Sequence, residues 1–159
     1  MSSRIIVREA REAEKEQVAN LIARLKMLNE ELDPHYKVVD DLDIVVKDYV
    51  DKIFSDEKTR VIVAVDEPTG EIAGLIVYTL MDRIFYKPRI KAVITEFYVL
   101  PKYRRKRIGT LLLDKAVEKA TSDGAGLITV IYPAGNVIAE KFYKGKRFIP
   151  LQIEMYKPL

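Results

Sequence analysis

Hydrophobic residues recur along the chain with two rhythms, one of period two or continuous and one helical. Ile5-Ile-Val-Arg-Glu9 opens with a short β-branched run, which predicts a strand. From Glu12 to Leu32, Val18, Leu21, Ile22, Leu25 and Leu28 return at helical spacing and predict a long amphipathic helix. A loop with Pro34 and His35 follows, then a second helical stretch from about 42 to 54 in which Ile44, Val45, Tyr49 and Ile53 would share a face. Residues 59–65 and 72–80 read as strands joined by the hairpin connection Asp66-Glu-Pro-Thr-Gly-Glu71. Ala92-Val-Ile-Thr-Glu-Phe-Tyr-Val-Leu100 is apolar at nearly every position, the pattern of a strand buried on both faces. Pro101 has no N–H to donate and ends it. Ile108, Leu111, Leu112, Ala116, Val117 and Ala120 then mark another amphipathic helix, closed by the turn at Ser122-Asp-Gly124. A buried strand over 127–132, a short helix over 137–144 and terminal strand segments over 148–156 complete the pattern.

The order of elements defines the fold class. The strand, helix, strand unit from Val93 to Ile131 requires a parallel crossover, almost always right-handed, whereas the hairpin before it is antiparallel. The expectation is therefore an α/β chain with a mixed sheet, a single domain over 1–159 without repeats or linkers. In such sheets ligands sit beyond the carboxyl ends of strands where neighbouring connections diverge. Here that mouth carries Lys102-Tyr-Arg-Arg-Lys-Arg107 followed by Gly109-Thr110 at the head of a helix. A helix that starts directly after a cationic loop aims unpaired N–H groups and the positive end of its dipole at one spot, which suits a phosphate.

Two segments carry a resemblance. Val99-x-Pro101-x-Tyr103-Arg104-x-x-Arg107-x-Gly109-Thr110 resembles the coenzyme A motif of the GNAT acetyltransferase superfamily, written Arg/Gln-x-x-Gly-x-Gly/Ala after a Val-x-Pro strand end. Asn136-x-x-Ala139-x-x-Phe142-Tyr143-x-x-x-x-Phe148 resembles that family's later helix. Arg107 stands at the family's first glycine and Arg147 at the glycine of its Gly-Phe turn. The resemblance implies a mostly antiparallel sheet whose parallel central pair splays around the coenzyme, flanked by about four helices. It implies acetyl-CoA as co-substrate, with pyrophosphate held by Arg104, Arg105, Lys106, Arg107, Ile108, Gly109 and Thr110. The pantetheine arm would pair with Phe97, Tyr98 and Val99, and Asn136 and Tyr143 would form the other wall.

Composition removes other chemistries. The 159 residues include no cysteine, which excludes disulfides, thiolate nucleophiles and iron–sulfur ligation. A single histidine, His35, makes a zinc site or a Ser-His-Asp triad improbable, and no metal is expected. No apolar run is long enough for a membrane span and no signal-peptide core is seen, so a cytoplasmic protein without membrane partners is expected. The formal charge of +3 with both signs interspersed describes an ordinary solvated surface.

Tyr143 is the candidate acid: a tyrosine is protonated at neutral pH and donates to a departing thiolate. The alternative is that Phe142-Tyr143 only packs the short helix on the core. An attacking amine must also lose a proton, and Glu96, a carboxylate inside an apolar strand, is the candidate base, on the face opposite Phe97 and Val99. A water chain or Asp40 and Asp41 are substitutes. Glu30, Glu31, Asp33, Asp40, Asp41 and Asp43 would rim an acceptor site for a cationic amine, or form a plain solvated loop. The expected reaction is acetyl transfer to a primary amine by direct attack in a ternary complex, by a chain that pairs as a homodimer. Two other classes stay open: a non-catalytic acetyl-CoA sensor, and a nucleic-acid-binding domain using the basic loop.

Overall fold

The computed structural model describes residues 4–159. Five strands form one sheet in the order β1-β2-β3-β4-β5. They are β1 (Ile5–Glu9), β2 (Thr59–Asp66), β3 (Glu71–Asp82), β4 (Ile90–Val99) and β5 (Leu127–Val130). All neighbours pair antiparallel except β4 and β5, which are parallel, so the sheet is mixed as the crossover argument requires. The helices are α1 (Lys15–Leu32), α2 (Leu42–Ser55), α3 (Ile108–Ser122) and α4 (Val137–Gly145). α1 and α2 cover one face of the sheet, and α3 packs on the other. β2, β3 and β4 form the buried centre, and Val63, Ala64, Leu75, Ile76, Val77 and Tyr78 are completely inaccessible.

β4 carries the irregularity that matters most for function. Its register against β3 jumps from Val77↔Glu96 to Tyr78↔Ile94, so Thr95 is an extra residue opposite no partner. Such a bulge bends the strand and turns a side chain sideways. Here it brings the Thr95 hydroxyl to 3.0 Å from Glu96 Oε1, although neighbours on a regular strand point to opposite faces.

Several expectations are corrected. The buried face of α2 is Val46, Val50 and Ile53, while Ile44 and Val45 are exposed. Of the expected stripe Ile53 is buried and Tyr49 is half-buried, so the seam agrees at its C-terminal end and differs in the first turns, where Val46 takes the place of Ile44 and Val45. On α3, Leu113 is buried and Leu111 and Val117 are exposed. β5 is an edge strand, half-buried throughout and ending at Val130, because nothing covers its outer side. No strand follows α4. Residues 149–159 lie along no sheet edge, and among the described residues their backbone makes no hydrogen bond.

Candidate active site

β4 and β5 pair only as far as Ile94↔Val130, with one further bond from Ile131 N–H to Ile94 O. Beyond that point they part, and the β5-facing edge of β4 from Thr95 to Val99 has no strand partner. The gap is a cleft of ≈ 210 Å³ whose lining includes Thr95, Phe97, Tyr98, Val99, Arg104, Tyr132, Asn136 and Tyr143. An extended ligand with amide groups fits such an edge as an added strand.

The basic loop stands at the head of α3, after a short 3-10 turn at Pro101–Tyr103. Its backbone N–H groups at Arg105, Lys106, Arg107, Ile108, Gly109 and Thr110 have no acceptor among the described residues, and Leu111 N–H is the first to bond, to Arg107 O. The cradle thus starts one residue later than expected: Arg104 N–H is taken by Pro101 O. The side chains also divide. Lys102 pairs with Glu71 at 2.7 Å, and Arg104 donates through Nε to Val99 O at 3.2 Å while lying over the Tyr98 ring. Arg105, Lys106 and Arg107 are exposed and have no carboxylate partner among the described residues, so they remain the free cations of the loop.

Arg107 has φ 62° and Arg147 has φ 67°, both left-handed. These are the two positions where the resemblance expects glycine, and the backbone explains why: without a Cβ this conformation carries no steric cost. Gly109 has a different reason. A Cβ there would lie 3.3 Å from Phe97 Cζ and 3.5 Å from Phe142, so the glycine lets α3 seat against those rings.

Tyr103 holds the loop down. Its hydroxyl lies 2.7 Å from Asp66 Oδ2 and 2.8 Å from Glu71 Oε1, tying the loop to the β2–β3 hairpin. The lysine at 102, then the tyrosine, hold the Glu71 carboxyl below the usual glutamate range. Sequence reasoning passed over this anchor, and also over Lys146, whose ammonium donates to Thr110 Oγ1 at 2.8 Å and so adds a cation beside the head of α3. The Lys-rich 141–147 segment was the only signal available.

On the opposite wall Tyr143 is 4 % exposed and sits within rings: stacked on Tyr132 at 5.6 Å, and edge-on to Phe97, Phe142 and Phe148. The residue lines the cleft, and its hydroxyl is buried with no hydrogen-bond partner among the described residues. Burial, then the neighbouring Tyr132, pushes its pKa well above the ordinary tyrosine value, so it stays protonated. A buried hydroxyl without a partner costs about 1–3 kcal/mol.

Asn136 has a structural occupation. Its Oδ1 caps α4 by accepting from Ala139 N at 3.0 Å, and its Nδ2 donates to Asn29 Oδ1 on α1. Next to it, Gly135 N–H donates to Asp33 Oδ2, and a Cβ on Gly135 would meet Leu32 O at 2.5 Å. Backbone bonds from His35 and Gly135 lower the Asp33 pKa. Asp33 is therefore a buried strut and not part of an acidic rim. Glu30 accepts from Val38 N at 2.6 Å yet is exposed, as are Glu31, Asp40, Asp41 and Asp43 on that side.

Glu96 is buried on the α1–α2 side and does not itself line the cleft. Its Oε2 receives Lys26 Nζ at 3.1 Å, and its Oε1 receives Tyr49 at 2.5 Å together with Thr95. Burial and then the Glu96 charge raise the Tyr49 pKa. Thr95 lines the cleft, so the bulge connects the carboxylate to the cleft through one hydroxyl.

A splayed parallel pair, an unpaired strand edge and a helix head with free N–H groups together make an α/β domain suited to an extended, phosphate-bearing ligand. The model of the Acetyltransferase (GNAT) family matches residues 24–147, and the chain belongs to that family. Its members use acetyl-CoA. No curated protein sequence matches the chain. Among solved structures, the tetramutant of the BH1408 protein from Bacillus halodurans superposes with TM-score 0.83 at 20% identity, covering 97% of this chain and 99% of that one. The aminoglycoside N-acetyltransferase AAC(6')-Iy in complex with CoA gives 0.76 at 14% identity, covering 100% and 97%. Ribosomal-protein-alanine N-acetyltransferase from Brucella melitensis gives 0.74 at 16%, covering 98% and 99%. At these identities the likeness is one of fold. No helix among the described residues is long and apolar enough to cross a membrane.

Proposed function

We propose that the protein transfers the acetyl group of acetyl-CoA to a primary amine by direct attack in a ternary complex, in the cytoplasm and as a pair of identical chains. The observation that carries this reading is a cleft lined by the unpaired β4 edge and by Tyr143, with the six free N–H groups at the adjoining head of α3, whose Gly109 sits against Phe97 of the cleft wall. The residues fit the coenzyme in charge and in hydrogen bonding. The side chains of Arg105 and Lys106, with the N–H groups from Arg105 to Thr110, Arg107 among them through its backbone, would hold pyrophosphate, and Phe97, Tyr98 and Val99 would bond the pantetheine amides. Arg104 would leave Val99 O to free that acceptor. Asn136, which lines the cleft while capping α4, would complete the other wall of the coenzyme site.

Bound acetyl-CoA supplies an activated thioester: the C–N bond to the amine forms as the C–S bond breaks, and sulfur leaves as thiolate. Tyr143 donates a hydrogen bond to that sulfur. Its raised pKa makes full proton transfer to a thiolate of pKa near 8.5 unfavourable, so it acts by stabilising charge. Thr95 takes the amine proton as it passes its own proton to Glu96, whose charge Lys26 and Tyr49 hold in place. Acceptors of this chemistry include a protein N-terminus, a lysine, a polyamine, an aminosugar or an amino acid.

The test is acetyl-CoA consumption across those amine classes with mass spectrometry of the products, beside calorimetry with acetyl-CoA and with DNA or RNA. Saturable coenzyme binding with turnover of an amine is expected. Binding without turnover of any class would leave a sensor, and steeply salt-dependent nucleic-acid affinity without coenzyme binding would sink the cleft assignment.

A further inference from the structure

The β3–β4 hairpin ends in a turn that presents three large apolar side chains in a row to water. Ile84 is 66% exposed, Phe85 86% and Tyr86 64%. The strands pair as far as Asp82↔Ile90, so these residues stand beyond the last rung of the sheet. The turn is nonetheless held in one shape. Arg89 meets the Asp82 carboxylate with two bonds, from Nε at 2.7 Å and from Nη2 at 2.9 Å. Arg83 donates to Pro88 O at 3.2 Å, and its guanidinium lies 5.5 Å from the centre of the Tyr86 ring. Along the backbone, Arg83 N–H donates to Arg89 O at 2.6 Å and Tyr86 N–H to Arg83 O at 2.7 Å. Pro88 is seated on Gly126, where a Cβ would come to 2.5 Å from Pro88 Cβ. Exposure is thus built into a fixed turn, and contiguous apolar residues rimmed by polar ones mark a contact site.

The rim of this turn is cationic. From Asp82 to Lys91 the chain carries Arg83, Lys87, Arg89 and Lys91 against one acid, Asp82, which Arg89 neutralises. Lys58, whose carbonyl accepts from Leu80 N–H, adds a further cation at the base of the hairpin. Among the described residues Lys58, Arg83, Lys87 and Lys91 have no carboxylate partner. The segment from 82 to 91 therefore holds a net charge equal to the +3 of the entire chain. It lies at the start of β4, whereas the coenzyme cleft and the head of α3 lie toward its end, and no residue of the turn lines that cleft.

We propose that the 83–89 turn is an interfacial anchor that docks the protein reversibly on an anionic lipid bilayer, with Ile84, Phe85 and Tyr86 at the boundary of headgroups and acyl chains and Arg83 and Lys87 among the lipid phosphates. Shape and charge together select a bilayer. It receives a protruding apolar tip without needing a matching pocket, aromatic side chains favour its interface, and anionic headgroups attract the flanking cations. Two copies meeting turn to turn would set these cations against one another. Nucleic acid would employ the cations and the rings but leaves Ile84 without a role. An apolar tip or a basic rim alone gives only marginal attachment, and the two signals combined give a stable one. Such a contact is peripheral. It departs from the expected absence of membrane partners, which rested on the lack of a spanning or targeting segment, and it does not depend on acetyl transfer. The phosphate cradle, at the other end of β4, stays open to solvent when the turn is docked.

The test is co-sedimentation of the full chain with phosphatidylcholine vesicles, with and without phosphatidylserine, beside Ile84→Ser/Phe85→Ser, Lys87→Glu and Phe85→Trp. All three variants change only solvent-facing side chains and keep every core contact. The parent should bind phosphatidylserine vesicles more tightly than phosphatidylcholine alone by about tenfold or more. Lys87→Glu should weaken that binding by about tenfold, and the double serine variant should lose it. The chain has no tryptophan, so Phe85→Trp carries a single reporter, whose emission should shift to the blue on phosphatidylserine vesicles as position 85 leaves water. Acetyl-CoA affinity in solution should match the parent's in every variant. A parent that stays in the supernatant overturns the proposal. So does vesicle binding that the double serine variant retains, which would move the contact to another basic surface such as 104–107, and so does a tryptophan whose emission does not shift. Oligonucleotide binding that is lost in the double serine variant would assign the turn to nucleic acid, and a dimer dissociated by that variant would assign it to a second copy; either result replaces the lipid.

Discussion

Arg107 and Arg147 occupy left-handed backbone at φ 62° and 67°, are exposed, and have no side-chain hydrogen bond or ion pair among the described residues. Replacing Arg107 by glycine should therefore stabilise the protein. A non-glycine residue in this region costs about 1–2 kcal/mol. Glycine's greater freedom in the unfolded chain returns about 0.5–1 kcal/mol of that. The net spans about 0–1.5 kcal/mol with a midpoint of ~0.75, which is a rise in Tm of roughly 2–3 °C for a chain of this length. Arg147→Gly should give a similar gain. Differential scanning calorimetry of Arg107→Gly beside Arg107→Ala isolates the cause, since alanine removes the guanidinium but keeps the Cβ. The glycine variant should melt higher and the alanine variant close to the parent. Equal melting of the two, or a lower Tm for glycine, would refute the backbone argument. Titration calorimetry of the same proteins tests the side chain: acetyl-CoA affinity within a few-fold is expected. A loss beyond a hundredfold, about 2.8 kcal/mol, would show that the arginine grips phosphate.

Tyr143→Phe should separate activity from stability: kcat with a confirmed acceptor falls about a hundredfold while Tm holds or rises, because the hydroxyl removed is buried without a partner. A variant as fast as the parent removes Tyr143 from the chemistry. Asn136→Ala loses the α4 cap and leaves Asn29 unpaired, and should lower stability by about 1–2 kcal/mol in urea unfolding, with Asn136→Asp recovering the cap. An unaffected alanine variant would deny the cap that role. Glu71 is held below its ordinary pKa by Lys102 and Tyr103, so the stability it contributes is complete above the usual glutamate range and is lost as pH falls through its folded value. Glu71→Gln should accordingly flatten the acid limb of a Tm-against-pH profile, and an unchanged limb would place the acid sensitivity elsewhere.

The strand order around β4, the basic loop and the head of α3 are legible in the sequence because apolar runs, Pro101 and the glycine at 109 are local signals. Less visible are features set by partners far along the chain. The bulge at Thr95 lies inside a run apolar on both sides, where period-two parity is silent, so the hydroxyl route from Glu96 to the cleft could not be read. On α2 the pattern finds Ile53 but not the first turns, because Ile44 and Val45 are as apolar as Val46 and Val50 and only the sheet chooses between them. Asp33 looked like one more surface acid, since nothing nearby in sequence announces Gly135 as its partner. The motif glycines were informative by their absence: both arginines that replace them sit in the backbone conformation that glycine serves.

Three residues one turn apart on α1 each fasten a different part of the site. Lys26 meets the β4 carboxylate, Asn29 meets the α4 cap, and Asp33, just past the helix end, meets the loop between β5 and α4. This helix is thus a spine on which both walls are hung, and its identity is not interchangeable with its apolar stripe. Transplanting the α1–α2 region from a relative to change the acceptor would keep the core filled, yet undo all three fastenings unless 26, 29 and 33 travel with the host. If the acceptor is framed by α1 and α2 as proposed, its choice is best redesigned from α2 and the loop before it, with α1 left as the frame.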